Sequence, residues 1–250
     1  MTERPGYHDF VKMDGDQRFR QAVDFARQAL ATTGPWLSKP PEDLDVLDLG
    51  SGYGDMAAEL AKTCRHVTAI EPTTHLIETG QRTHAAVDNL TIRAGGVEDV
   101  TEREAYDLIV LDNVYEHLPD HDLACRHISE ALRPGGVVYV LTPNKVWPVE
   151  AHYRLPFLGW LPVRLANPYL RLSRRGEDYT DASYAPTYWS LRRELERAGL
   201  TVSFVLPGDP DAVRGGGRHY RWGMAALRRF PALWSISKAL LVVAVKRPST

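Results

Sequence analysis

Residues 46–55 read VLDLGSGYGD, an apolar run that leads into three glycines at alternate positions. Glycine lets the backbone approach a ligand closely here, because a Cβ atom would occupy the same space. The dinucleotide fingerprint has the spacing G-x-G-x-x-G and holds a diphosphate at the start of the following helix. Here the spacing is G-x-G-x-G, and the Asp55 carboxylate at the expected helix start would repel a diphosphate. Asp48, just before the turn, favours instead a ligand that carries a positive amino group.

Short apolar runs alternate with helical stretches around this turn. The expected strands are LDVLDL, HVTAIE, LTIR, YDLIVLD, GVVYVLT, TVSFVL and ALLVVAVK. The expected helices cover residues 14–33, 55–64, 74–87, 120–132 and 187–198. Because strands separated by helices form βαβ units, the pattern predicts an α/β fold with a parallel sheet.

An acidic residue stands at the end of the second expected strand. Glu71 follows Gly50 by 21 residues. A carboxylate at that strand end can accept hydrogen bonds from both hydroxyl groups of a ribose. The glycine turn, Asp48, Glu71 and the alternation of strands and helices together predict a site for a nucleoside-containing ligand.

Two more motifs follow in order along the chain. Residues 106–118 read YDLIVLDNVYEHL, and residues 132–136 read LRPGG. With DLGSGYG at 48–54 and with Glu71, they resemble the class I S-adenosylmethionine-dependent methyltransferases. The resemblance is strongest to the broad group that includes ubiquinone-biosynthesis-type O-methyltransferases. It extends over residues 44–142 and, more loosely, over the final helix and strand.

The resemblance implies a Rossmann-like three-layer sandwich. Its sheet is expected to have seven mostly parallel strands, with an antiparallel last strand and an insertion or lid after strand five. The implied cofactor is S-adenosylmethionine, which leaves as S-adenosylhomocysteine. The residues expected to bind it are Asp48, Gly50, Gly52, Glu71, Gly96, Val97, Glu98, Asp112 and Asn113.

The segment after the third strand departs from the family pattern. Relatives usually have an acid in contact with adenine there, whereas this chain has Gly96. Either Glu98 or Asp99 compensates for the missing acid, or backbone N–H groups and the Val97 side chain hold the adenine.

The chain is expected to divide into two parts. Residues 1–43 would form an N-terminal helical cap, and residues 44–250 the methyltransferase domain. Residues 143–185 interrupt the alternation of strands and helices, because they are dense in proline, aromatic residues and arginine. In the family such insertions form the acceptor-binding pocket, and the N-terminal helix forms another wall of it.

Methyl transfer to a hydroxyl group requires a base near the mouth of the sheet, and histidine is the usual candidate. His152 lies in the insertion and is the more specific candidate. His117 follows strand four, where it could act as base, position the cofactor or cap the next loop. His121 and His127 are expected at the surface. Glu116 beside His117 makes a poor chelate, so no metal is expected.

Charge is unevenly distributed along the chain. Residues 151–250 carry 16 Lys and Arg against 7 Asp and Glu, although the net charge of the whole chain is −2. The insertion contributes Arg164, Arg171, Arg174 and Arg175, which suit an anionic acceptor. One interpretation is a lid whose apolar face packs on the sheet, with its arginines in solvent. The other is peripheral contact with a membrane.

The expected reaction is methylation of a small-molecule hydroxyl, on a sugar, a phenol or quinone, or a natural product. The alternatives are an RNA or other macromolecule methyltransferase and a non-catalytic cofactor-binding scaffold. No nucleic-acid partner is expected, because the pI is near 6.5 and no RNA-binding module is appended.

The absence of an apolar leader and the presence of only two cysteines favour a cytoplasmic location. The pattern leaves the oligomeric state open.

Overall fold

The computed structural model describes residues 15–209 and 218–247 of the chain. Its α-helices are α1 (Gly15–Thr33), α2 (Asp55–Ala61), α3 (Thr74–Thr83), α4 (His121–Ala131), α5 (Val163–Leu172), α6 (Tyr188–Arg197) and α7 (Arg218–Arg229). Its strands are β1 (Asp45–Leu49), β2 (His66–Glu71), β3 (Leu90–Ala94), β4 (Tyr106–Asp112), β5 (Leu132–Pro143), β6 (Leu200–Phe204) and β7 (Ala239–Lys246). Residues 1–14 of the expected cap lie outside the described part.

The strands form one sheet in the order β3-β2-β1-β4-β5-β7-β6. Strands β1 to β5 pair in parallel, and β7 runs antiparallel to both of its neighbours, β5 and β6. The order reverses direction between β1 and β4, so a crevice opens beyond the carboxyl ends of these two strands. The predicted seven-stranded, mostly parallel sheet with an antiparallel last strand is confirmed.

Helices cover both faces of the sheet. Because successive side chains of a strand point to opposite faces, Val46 and Leu47 enter different cores. Val46 and Val110 pack with residues of α1, α2 and α3. Leu47 and Ile109 pack with residues of α4 and α6 on the other face. This packing gives the three-layer sandwich that the resemblance implies.

The insertion after β5 has a small core of its own. That core contains Leu155, Leu158, Ala166, Leu170, Tyr179 and Ala182. The insertion's apolar side chains therefore pack on one another, and the expected lid with its apolar face on the sheet is wrong in this respect. Helix α5 within it was not predicted, and it contains the internal Pro168, which lacks an N–H and disfavours a helix interior. Helix α7 was likewise not predicted.

No helix in residues 15–209 and 218–247 combines the length and the apolar character that a bilayer span requires.

A polar cluster joins the strands at the edge opposite the crevice. Asp107, in β4, accepts hydrogen bonds from Lys39 Nζ at 2.7 Å, the Asp45 amide at 3.0 Å and Arg133 at 2.6 Å. Arg133 also donates to Asp45 at 2.8 Å. The Asp107 carboxylate thus connects β1, β4, the start of β5 and the linker after α1.

Replacing Asp107 with alanine should lower the free energy of unfolding by about 2–4 kcal/mol, because three donors lose a shared, largely buried acceptor. Urea denaturation followed by circular dichroism measures the change. Asp24→Ala is the matched control, because Asp24 is half-exposed and its ion-pair contact with Arg27 is long, at 3.6 Å. Equal stabilities of the two variants would contradict a structural role for the cluster.

Candidate active site

A cavity of about 460 Å³ lies at the carboxyl ends of β1 and β4. This volume is in the range of sites for small ligands and cofactors. With the exception of Glu98, the predicted site residues line it, namely Asp48, Gly50, Gly52, Glu71, Gly96, Val97, Asp112, Asn113, His117 and His152. The fold therefore brings together residues that lie up to 104 positions apart in sequence.

The glycine turn forms the floor of the cavity between β1 and α2. Gly50 and Gly52 adopt φ angles of +74° and +58°, which side chains disfavour. A Cβ atom on Gly50 would lie 2.5 Å from Val114 Cγ2. The amides of Gly50 and Ser51 donate to the Ile70 carbonyl at 2.8 and 3.1 Å, which ties the turn to β2. The turn therefore has a fixed position and leaves space above its backbone.

Glu71 is held at the end of β2 by backbone donors. Its Oε2 accepts from the Gly52 amide at 3.1 Å, and its Oε1 accepts from the Thr73 amide at 3.0 Å. Each carboxylate oxygen can accept more than one hydrogen bond, so both oxygens keep capacity for ligand hydroxyls. The arrangement fits a ribose whose two hydroxyls donate to Glu71.

Two carboxyl groups, the buried Asp48 and the partly buried Asp112, lie at the ends of β1 and β4. Burial, aided by the negative charges of Asp112 and Glu71, raises the pKa of Asp48 to about 8. Burial also raises the pKa of Asp112 to about 7, although a hydrogen bond from the side-chain amide of Asn113 opposes this rise. Asp48 Oδ2 is buried without a hydrogen-bond partner in the described chain. Such an acceptor fits a ligand with a positive amino group.

The turn after β3, which lacks the acid expected to contact adenine, is stabilised by its own side chains. Asp99 accepts a hydrogen bond from the Gly96 amide at 2.8 Å and so stabilises the turn. Glu98 is exposed and does not line the cavity, whereas Gly95, Gly96 and Val97 do. Of the two alternatives, the geometry favours backbone groups and the Val97 side chain as the adenine contact.

Helix α1 forms one wall through residues that sequence reasoning missed. Arg18, Gln21, Ala22 and Phe25 line the cavity. Arg18 stacks on the Tyr53 ring, with Cζ 4.0 Å from its centroid. Gln21 Oε1 is buried without a hydrogen-bond partner in the described residues, as a ligand-facing acceptor would be. An Arg or Gln on an amphipathic helix carries no sequence signal for this role.

Asp55 at the start of α2 is neutralised by two partners. Arg18 Nε donates to its Oδ2 at 2.9 Å, and His84 Nε2 lies 2.9 Å from its Oδ1. Burial opposes ionisation, but the hydrogen bonds from His84 and Arg18 outweigh it and hold the pKa of Asp55 below its ordinary value. The expected repulsion of an anion at this helix start is therefore weakened, because the charge is compensated within the protein.

The two candidate catalytic histidines are neighbours at the cavity rim. Their ring centroids lie 5.1 Å apart. His152 Nδ1 donates to Glu150 Oε1 at 2.8 Å, which leaves Nε2 as the basic nitrogen. His117 Nδ1 donates to the Asp181 carbonyl at 3.0 Å. This bond connects the turn after β4 to the insertion rather than to the next loop.

Glu116 lies beneath the two histidines and is fully buried. Its Oε2 accepts from the Thr142 hydroxyl at 2.9 Å, and its Oε1 lies 4.0 Å from His152 Nε2. Burial raises the pKa of Glu116 to about 7, although the charge of His152 opposes the shift. Ligand atoms of Glu116, His117 and His152 all lie within 4.8 Å of one another, so these three residues could coordinate a divalent metal.

A second polar network supports the turn that carries Glu116 and His117. Tyr115 donates to Glu194 Oε2 at 2.7 Å, and His121 Nδ1 lies 3.2 Å from the same oxygen. Burial opposes ionisation of Glu194, but the hydrogen bonds from His121 and Tyr115 lower its pKa overall. His121 and His127 are partly exposed on α4, and each is hydrogen-bonded to a carbonyl group.

Residues 17–203 match the family model of a methyltransferase domain. An uncharacterised protein of Mycobacterium tuberculosis is 32% identical over 223 residues, covering 82% of this chain and 75% of the relative. The ubiquinone biosynthesis O-methyltransferase of Paramagnetospirillum magneticum is 33% identical over 131 residues, which span 50% of this chain and 52% of that enzyme.

The fold is also similar to solved structures. An S-adenosylmethionine-dependent methyltransferase from Mesorhizobium loti superposes with a TM-score of 0.57 at 16% identity, covering 85% of this chain and 95% of the other. At this identity the likeness concerns the fold alone, and it includes the sheet that builds the cavity.

The raised pKa values of Asp48 and Asp112 predict proton release when a cationic ligand binds. Both groups must ionise to pair with the charge of S-adenosylmethionine, so its affinity should rise with pH up to about 8, where the α-amino group of the ligand begins to lose its own proton. The rise should not exceed about tenfold per pH unit for each proton released. Calorimetry in buffers of different ionisation enthalpy counts the protons directly.

Asp48→Asn should flatten this pH dependence. An affinity that is constant between about pH 6 and pH 9, with no proton release, would contradict the electrostatic account of the cavity.

Proposed function

The chain belongs to the methyltransferase-domain family and is a class I S-adenosylmethionine-dependent methyltransferase, and we propose that it methylates a hydroxyl group of a small molecule. The single observation that carries the proposal is the pairing of His152 with Glu150 at the rim of the cofactor cavity. A histidine held through Nδ1 by a carboxylate has the arrangement of a general base, which a hydroxyl acceptor requires.

In this proposal the cofactor is held at four places. Asp48 binds the amino group, the turn containing Gly50 and Gly52 lies under the methionine part, Glu71 binds the ribose, and Val97 contacts the adenine. Asp112 and Asn113 close over the sulfonium end. The unpartnered Asp48 oxygen and the space that a Cβ on Gly50 would fill support this fit.

When bound, S-adenosylmethionine supplies an electrophilic methyl group. His152 Nε2 accepts the proton of the acceptor hydroxyl as the oxygen becomes nucleophilic, and Nδ1 keeps its proton towards Glu150. The amide of Tyr153 donates to the other Glu150 oxygen at 2.6 Å. Burial opposes ionisation of Glu150, but the hydrogen bond and charge of His152, aided by the Tyr153 amide, lower its pKa overall. Glu150 therefore remains ionised and stabilises the imidazolium that forms.

The acceptor side of the cavity favours a neutral acceptor. Leu118, Pro143 and Ala151 line it beside the histidines. Arg164, Arg171, Arg174 and Arg175, which suited an anionic acceptor, do not line the cavity. The lining arginine is Arg18, whose guanidinium is paired with Asp55. We therefore infer a neutral hydroxyl compound, and residues 143–185 contribute to its pocket through Ala151 and His152.

The O-methyltransferase named among the relatives supports oxygen as the accepting atom. A nucleic-acid substrate has weaker support, because the excess of arginine lies outside the cavity lining. Steeply salt-dependent RNA binding would favour that alternative.

His152→Gln should lower kcat by about 10²–10⁴-fold, the usual contribution of a positioned base. The affinity for S-adenosylhomocysteine should stay unchanged, because His152 acts on the acceptor. Acceptor screening with radiolabelled cofactor supplies the assay. His127→Gln is the matched control, since His127 binds the Val100 carbonyl and does not line the cavity. Equal losses in both variants would contradict the assignment of His152 as the base.

The same assay tests the prediction that no metal is required. Activity should survive dialysis against EDTA. Loss of activity on chelation, with recovery on adding Mg²⁺, Mn²⁺ or Zn²⁺, would instead assign Glu116, His117 and His152 as metal ligands.

A further inference from the structure

Helix α5 has an apolar outer face in addition to its buried inner face. Ala166 and Leu170 point inwards and are fully buried. On the opposite side, Leu165 and Leu172 are 53% and 84% exposed. At 100° per residue, Leu165, Pro168 and Leu172 form one continuous stripe. The core of the insertion is complete without this stripe, so folding of the insertion does not account for it.

Two aromatic rings extend the apolar surface just before α5. Phe157 and Trp160 are about half exposed, and their ring centroids lie 4.7 Å apart. Phe157 has a φ of +58°, an uncommon value for a bulky residue. Its amide donates to the Pro148 carbonyl at 2.6 Å, so the chain is anchored where the ring projects outwards. The interfacial region of a bilayer is one partner that can bind exposed aromatic rings together with leucine side chains.

Arginines flank the apolar stripe. Arg164 and Arg171 are seven residues apart and lie together along one side of it, and the exposed Arg174 follows at the end of α5. Within the described part of the chain, none of these three guanidinium groups forms an ion pair with a carboxylate within 4.0 Å. Arg171 Nε donates to the Glu177 carbonyl at 3.1 Å, and its charge helps to lower the pKa of Asp178, after the hydrogen bonds from Thr180. Arg164 and Arg174 therefore offer the least compensated charges to an anionic partner.

We propose that the outer face of the insertion, formed by Phe157, Trp160, Arg164, Leu165, Arg171, Leu172 and Arg174, docks on an anionic lipid bilayer. The leucines and aromatic rings enter the boundary between headgroups and acyl chains, and the arginines bind lipid phosphates. An anionic bilayer fits this face because the boundary of its acyl chains accepts the apolar stripe. The lipid phosphates lie at nearly the same depth and can bind the arginines beside it. The inference does not depend on the acceptor or on the role of His152.

Co-sedimentation of the full chain with vesicles tests the proposal. Binding is expected to vesicles of equal parts phosphatidylglycerol and phosphatidylcholine at low salt, weaker at high salt, and much weaker to phosphatidylcholine alone. Arg164→Gln and Arg174→Gln should each weaken binding about fivefold. The double variant Leu165→Ser with Leu172→Ser should weaken it by about tenfold or more. All variants should keep their affinity for S-adenosylhomocysteine, which shows that they are folded.

Two control variants separate this face from exposed residues in general. Trp189 on α6 is 66% exposed and Arg126 on α4 is exposed, so Trp189→Ser and Arg126→Gln should bind vesicles as the unmodified protein does. Losses equal to those of the α5 variants would overturn the proposal. Absence of binding to anionic vesicles at low salt would also overturn it. So would light scattering that shows a dimer which the leucine substitutions dissociate, because the face would then bind a second copy of the chain.

Discussion

The hydrogen bond from the Gly52 amide to Glu71 joins the ends of β1 and β2, and the cofactor cavity depends on this junction. The bond forms only if the turn after β1 bends back towards β2, which requires positive φ angles at Gly50 and Gly52. The same bend starts α2 and leaves the backbone open above the turn. A side chain at Gly50 would collide with Val114 in the segment after β4, so the turn also sets the distance between the two halves of the crevice.

Buried negative charge determines what the cavity can accept. Taking a carboxylate out of water is unfavourable unless a positive or hydrogen-bonding group compensates it. The protein compensates Asp55 with Arg18 and Glu150 with His152, but it leaves an oxygen of Asp48 without a partner. A cationic cofactor supplies the missing charge. Acids that have a partner within the protein, such as Asp55, stabilise the structure, whereas the unpartnered oxygen of Asp48 is left to bind the ligand.

Sequence reasoning predicted the sheet and most of the residues that line the cavity, because both depend on local patterns. Strand periodicity and the glycine turn are contained in short segments, and Glu71 follows at a fixed interval. Arg18 was missed since its role arises from α1 packing against the turn. The proximity of Glu116, His117 and His152 depends on how the insertion folds back over β4 and β5. The exposure of the outer face of α5 could not be predicted, because the helix has apolar residues on two sides. The sequence does not show which side is buried in the insertion's core.

The central claim is that Glu71 and the glycine turn hold the nucleoside part of S-adenosylmethionine. Calorimetric titration with S-adenosylhomocysteine tests it most directly, with Glu71→Ala compared against Glu98→Ala. Glu98 is the matched control, because it is an exposed acid near the cavity that does not line it. The account predicts binding that Glu71→Ala weakens by about tenfold to a hundredfold, no effect of Glu98→Ala, and no binding of NAD. Unchanged affinity in Glu71→Ala, or clear binding of NAD, would contradict it.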